Sequence, residues 1–74
     1  MKLPNYITFN NRIIPLHTID GFEINEGEAE TATVSCEFHV NQDFRIITEE
    51  FRTYEEAELR FTKLQIILGA DRGE

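Results

Sequence analysis

Thr31-Ala32-Thr33-Val34-Ser35-Cys36-Glu37-Phe38-His39-Val40 is the stretch that decides the fold class. Ala32, Val34, Cys36, Phe38 and Val40 alternate without a break against Thr31, Thr33, Ser35, Glu37 and His39. A period of two is that of a strand with one face in a core and the other in water. Downstream, Asn41-Gln42-Asp43 supplies a turn and Phe44-Arg45-Ile46-Ile47-Thr48 returns as the next strand. The adjacency of Ile46 and Ile47 breaks the alternation, so this strand is expected to carry a bulge or to be covered on both faces.

Upstream, Tyr6-Ile7-Thr8-Phe9 and Arg12-Ile13-Ile14-Pro15-Leu16 flank Asn10-Asn11. Asparagine tolerates the left-handed backbone of a tight hairpin, so two strands joined there are expected. Pro15 has no N–H to give a ladder and puts the end of the second strand at an edge or a bend. His17 to Gly21 reads as a turn, Phe22-Glu23-Ile24 as a short third strand and Glu26 to Glu30 as an exposed loop.

At the other end, Thr53-Tyr54-Glu55-Glu56 is a capping box. It opens a helix whose Tyr54, Ala57, Phe61, Leu64 and Leu68 form one stripe at helical spacing. Gly69 is expected to stop it, leaving 70–74 as a frayed polar tail. The chain therefore reads as one α+β domain over residues 1–74, an antiparallel meander of about five strands packed by one C-terminal helix. At the level of architecture alone, this plan resembles that of many small bacterial and prophage proteins built as a meander followed by a short capped helix. The ending from Phe51 to Ala57, a strand running into a capped helix, is similar to that of bacterial pleckstrin-like domains. The resemblance covers that ending alone, since five strands are fewer than the full pleckstrin-like sandwich, and it implies no functional residue here.

Composition narrows the function classes. A chain of 74 residues buries only ~60% of the surface its unfolded form exposes, so a disulfide, a metal or a partner subunit is expected to supplement its core. Cys36 is the single cysteine; it cannot form an intrachain disulfide, and a lone thiol suits a reducing, cytoplasmic setting. No segment has the length or apolarity of a signal peptide or a membrane span. The formal charge of −7 repels phosphate backbones and anionic lipid at long range. Direct nucleic-acid or membrane binding is accordingly not expected.

Candidate chemistry is thin. Cys36 and His39 have metal-ligand spacing, but on a strand an odd offset sends them to opposite faces. Ser35, Glu37 and His39 share a face, yet same-face neighbours lie roughly 7 Å apart along the strand, beyond a nucleophile–base hydrogen bond. The acids around Gly27 match no calcium loop. No cofactor, metal or catalytic residue is assigned, and the chain is read as a non-enzymatic module that binds itself, as a homodimer, or another protein. Its candidate interface lies on the helix, where Leu59, Ile66 and Ile67 are the anchors and Arg60 and Lys63 the polar rim. The competing reading is an acidic decoy for a basic surface, for which Glu23, Glu26, Glu28, Glu30, Glu49 and Glu50 must form one patch.

Overall fold

In the computed structural model, which describes residues 5–73, Asn10 and Asn11 hold φ of 49° and 63°. This left-handed pair makes a two-residue hairpin turn, a conformation asparagine adopts at less cost than most L-residues. It joins β1 (Tyr6–Phe9) to β2 (Arg12–Pro15), with Ile7 opposite Ile14 and Phe9 opposite Arg12. Ile7, Phe9 and Ile14 turn inward, while Tyr6 and Ile13 remain on the outside.

Pro15 is the last residue of β2, at an outward-facing position where the ladder needs no N–H; the Leu16 amide then donates to the Asn5 carbonyl at 2.8 Å, and a single 3₁₀ turn over Leu16–Thr18 follows. Then β3 (Ile19–Glu26), β4 (Ala32–Val40) and β5 (Asp43–Phe51) form a second, three-stranded antiparallel sheet in sequence order. The expected turn at His17 to Gly21 is thus replaced in part by strand. Ile19 pairs with Phe38 and Gly21 with Glu37, and Asp20 is squeezed out between them as a bulge. Burial of Ile19, 1% exposed, favours this longer strand, and the bulge keeps both Ile19 and Phe22 on the core side.

No bulge occurs in β5. Its ladder with β4 runs unbroken from Val40 opposite Asp43 to Ala32 opposite Phe51. Ile47 packs on the core and Ile46 faces solvent, so the two adjacent isoleucines serve opposite faces. In the β3–β4 connection the Gly27 amide donates to the Thr31 carbonyl, and Ala29 and Glu30 hold φ of 51° and 69°. A Cβ on Gly27 would lie 2.6 Å from Thr31 Oγ1, so close approach is what demands glycine there.

The helix α1 (Tyr54–Asp71) starts where its cap predicts: Thr53 Oγ1 accepts from the Glu56 amide at 3.2 Å. Such caps contribute about 1 kcal/mol. Gly69 does not end it. The helix continues through Ala70 and Asp71, and the left-handed residue is Gly73, at φ 75°. The Arg72 side chain then donates to the Ile19 carbonyl, tying the helix end to β3. Ala57, Leu64 and Leu68 are buried and Phe61 partly so, while Tyr54 at the end of the stripe stays exposed. Helix and hairpin close on one face of the three-stranded sheet over a shared core of Phe9, Leu16, Ile19, Val34, Cys36 and Leu64. This is an α+β fold with sheets of two and three antiparallel strands beside one C-terminal helix.

Candidate functional site

The helix separates the five interface candidates. Leu59 and Ile66 are 65% and 66% exposed, seven residues apart along α1 on the side away from the sheet, and Lys63 is exposed between them. Ile67 instead packs against the core. Arg60 turns inward too: its Nε donates to Glu49 Oε1 at 3.1 Å, its Nη2 to the Thr8 carbonyl at 2.6 Å, and its guanidinium lies 5.7 Å from the centre of the Phe9 ring. It therefore joins helix, hairpin and β5 rather than standing at a rim. Glu49 explains the arrangement. It lies opposite Val34 on the core side of β5, where an unpaired carboxylate would be costly, and it also accepts from the Asn10 amide at 2.8 Å.

The outer face of the sheet was the least legible surface. Phe44 and Ile46 are 54% and 55% exposed there, so β5 is not covered on both faces. His39 stands edge-on to Phe44 at 5.5 Å between ring centres. The signal was available in the turn. With Asn41 and Gln42 as a two-residue loop, Val40 faces Asp43, and the next pair, His39 and Phe44, necessarily falls on the solvent face.

Four polar groups on that face are engaged with one another in pairs. Ser35 Oγ is 3.1 Å from Thr48 Oγ1, and His39 Nδ1 is 2.5 Å from Asp20 Oδ2. Ser35 and His39 thus have different partners and form no nucleophile–base pair. Asp20 reaches His39 because of the bulge, a pairing that a strand read from Phe22 onward cannot show. Among the described residues, no three His, Cys, Asp or Glu side chains gather as metal ligands, and no helix is long and apolar enough to cross a membrane.

Cys36 is fully buried, and its thiol is pushed up to about 12 from about 9, chiefly by burial and then by the nearby carboxylates of Glu37, Asp20 and Glu49. The thiolate needed for nucleophilic or metal chemistry is therefore suppressed. Folding favours the neutral thiol, so its contribution is complete below about pH 9 and is lost as the pH rises from about 9 towards about 12. Cys36→Ala is expected to flatten the alkaline limb of a plot of urea-unfolding free energy against pH. Equal alkaline slopes in the two proteins would show that Cys36 titrates no differently once folded.

The acids divide. Glu26, Glu30 and Glu55 line one open cavity between the β3–β4 loop and the start of α1. Glu28 and Glu50 line the next, which shares Gly27 and Thr31 with it. Glu49 is withdrawn into its ion pair, and Glu23 lies further along the sheet, opposite Ser35. No family model, curated protein or solved structure matches the chain.

Proposed function

We propose that this domain is a non-enzymatic, intracellular module for protein interaction or self-assembly, and that the outer face of α1 is one of its contact surfaces. The observation that carries the reading is the exposure of Leu59 and Ile66, at 65% and 66%, on a helix whose opposite side already covers the sheet. Large aliphatic side chains gain free energy when a partner removes them from water, roughly 25 cal/mol per Å² of apolar surface. A chain of this size has little core to spare, and a second subunit is the commonest way to add buried area.

Sedimentation equilibrium of the wild type against Leu59→Glu combined with Ile66→Lys is the test. The expected result is an average mass above that of one chain for the wild type and a lower one for the variant. A wild type that stays monomeric at high micromolar concentration, and whose helix amides exchange no more slowly in cell lysate than in buffer, overturns the reading.

The acidic-decoy reading has its own support in the cavity shared by Glu26, Glu30 and Glu55. It calls for salt-sensitive binding to a basic protein, weakened when those three residues are changed to glutamine.

A further inference from the structure

β5 is an edge of its sheet, because β4 covers one side of it and, among the described residues, no strand pairs with the other. The turn fixes which of its backbone groups look outward. Asn41 and Gln42, at φ 50° and 76°, form a two-residue hairpin loop, so Val40 and Asp43 exchange hydrogen bonds and the alternation continues down the ladder. Asp43, Arg45 and Ile47 then bond β4, while the N–H and C=O of Phe44, Ile46, Thr48 and Glu50 point away from it. The Asn10 side chain bears this phase out by donating to the Thr48 carbonyl at 3.3 Å. The hairpin thus blunts the far part of the edge and leaves the run from Asp43 to Ile47 open.

Edge strands are ordinarily protected by charge. The other edge, β3, follows that rule, with Asp20, Glu23, Asn25 and Glu26 exposed along it. The open part of β5 has the charged Asp43 and Arg45, but its two outward-bonding residues are Phe44 and Ile46, each more than half exposed.

We infer that the Asp43–Ile47 edge is a homodimerisation strand, pairing antiparallel with the same segment of a second copy so that Phe44 of each lies opposite Ile46 of the other. The inference rests on the reading of the chain as an assembly module but uses a different surface. The register follows from the geometry. Phe44 and Ile46 are the two outward-facing residues of the open run, so matching them crosswise makes four backbone hydrogen bonds about a two-fold axis between the two Arg45 residues. Setting Phe44 opposite its own copy leaves Ile46 facing Gln42, whose left-handed backbone cannot extend a ladder. Setting Ile46 opposite its own copy brings Phe44 to Thr48, whose carbonyl Asn10 already occupies.

In the crosswise register the side chains agree with the backbone. Phe44 and Ile46 of both copies form one apolar strip on the outer face. On the other face each Arg45 lies diagonally across from the partner's Asp43, an attraction that offsets the approach of the two arginines. The product is a continuous six-stranded sheet. Because each copy carries a net charge of −7, added salt strengthens this association by screening the long-range repulsion.

The test uses the full chain, in sedimentation equilibrium and in amide hydrogen exchange at low and high protein concentration. The expected result is exchange of the Phe44 and Ile46 amides that slows as concentration rises. Ile46→Pro removes an outward N–H that the monomer does not use, and it is expected to weaken association at least tenfold with the helical signal retained. Asp43→Arg is expected to weaken it as well, and adding Arg45→Glu to restore it, which decides the matter should the proline variant fail to fold. Exchange at Phe44 and Ile46 that is independent of concentration overturns the inference. So does association that survives Ile46→Pro, and if that association is lost in the Leu59→Glu and Ile66→Lys variant, the module reading stands while the edge pairing falls.

Discussion

Phe9→Ala is expected to cost about 3–5 kcal/mol and to leave the chain largely unfolded at 37 °C. Phe9 is fully buried, its ring centre is 6.3 Å from that of Phe22 on β3, and the Arg60 guanidinium covers it. Truncation empties the contact between the hairpin and the rest of the core, and the two-stranded hairpin has no means of collapsing to fill the space. The total available is small: at ~0.05–0.15 kcal/mol per residue, a chain of this length has roughly 4–11 kcal/mol. The check is urea unfolding followed by circular dichroism, with Phe9→Leu as a milder control. A midpoint for Phe9→Ala within error of wild type would show that the hairpin contributes nothing to the cooperative unit.

Arg60→Ala is expected to cost about 2 kcal/mol, and Arg60→Lys to recover little of it. A hydrogen bond to a charged group contributes about 1.5–3 kcal/mol. The ion pair itself is discounted because the Arg60 side chain is 31% exposed and that of Glu49 20%. What keeps the expected cost within the range despite that discount is the forked geometry, in which one guanidinium serves the Glu49 carboxylate and the Thr8 carbonyl from different nitrogens. A lysine ammonium is a single point that cannot span both acceptors in the same way. Thermal unfolding of the two variants is the measurement, with a fall of roughly 8–16 °C expected for a domain of this size. Full recovery in Arg60→Lys would show that charge alone, and not the fork, holds the hairpin to the helix.

The residues explain why the fold was more legible than its surfaces. Local chemistry announced the Asn10-Asn11 turn, the alternation of β4 and the Thr53 cap, and each lies where its own preferences put it. Errors arose where a distant contact overrode a local signal. Gly69 is a good helix stop, but Leu68 beside it is buried and Arg72 has Ile19 to bond, so the helix runs on. His17 to Gly21 has turn residues, yet β4 offers Ile19 a ladder and a buried place.

The candidate surface divides in the same way. Helical periodicity located Leu59 and Ile66 on the outside, because it asks only which way a side chain leaves its own helix. It placed Arg60 beside them because nothing within the helix reveals a carboxylate eleven residues upstream on a strand. Phe44 and Ile46 were missed for a related reason: the adjacency of Ile46 and Ile47 suggested a bulge or cover on both faces, whereas the phase of the turn puts Phe44 and Ile46 together on the solvent face.

The order of the elements along the chain has a consequence during protein synthesis. Every strand precedes the helix that covers the sheet, and α1 is 18 residues long. At ~5–20 residues per second a ribosome needs roughly 1–4 s to make it. Hairpins form in about 1–10 μs, so the strands meet long before the helix exists, and for that interval the side chains of Val34, Cys36 and Phe38 have only the β1–β2 hairpin and Leu16 to pack against. Neighbouring nascent chains then present half-covered sheet faces to one another, and the hazard is greatest on crowded polysomes. In that interval the acids of the β3–β4 loop, already translated, keep such chains apart by mutual repulsion before any helix can.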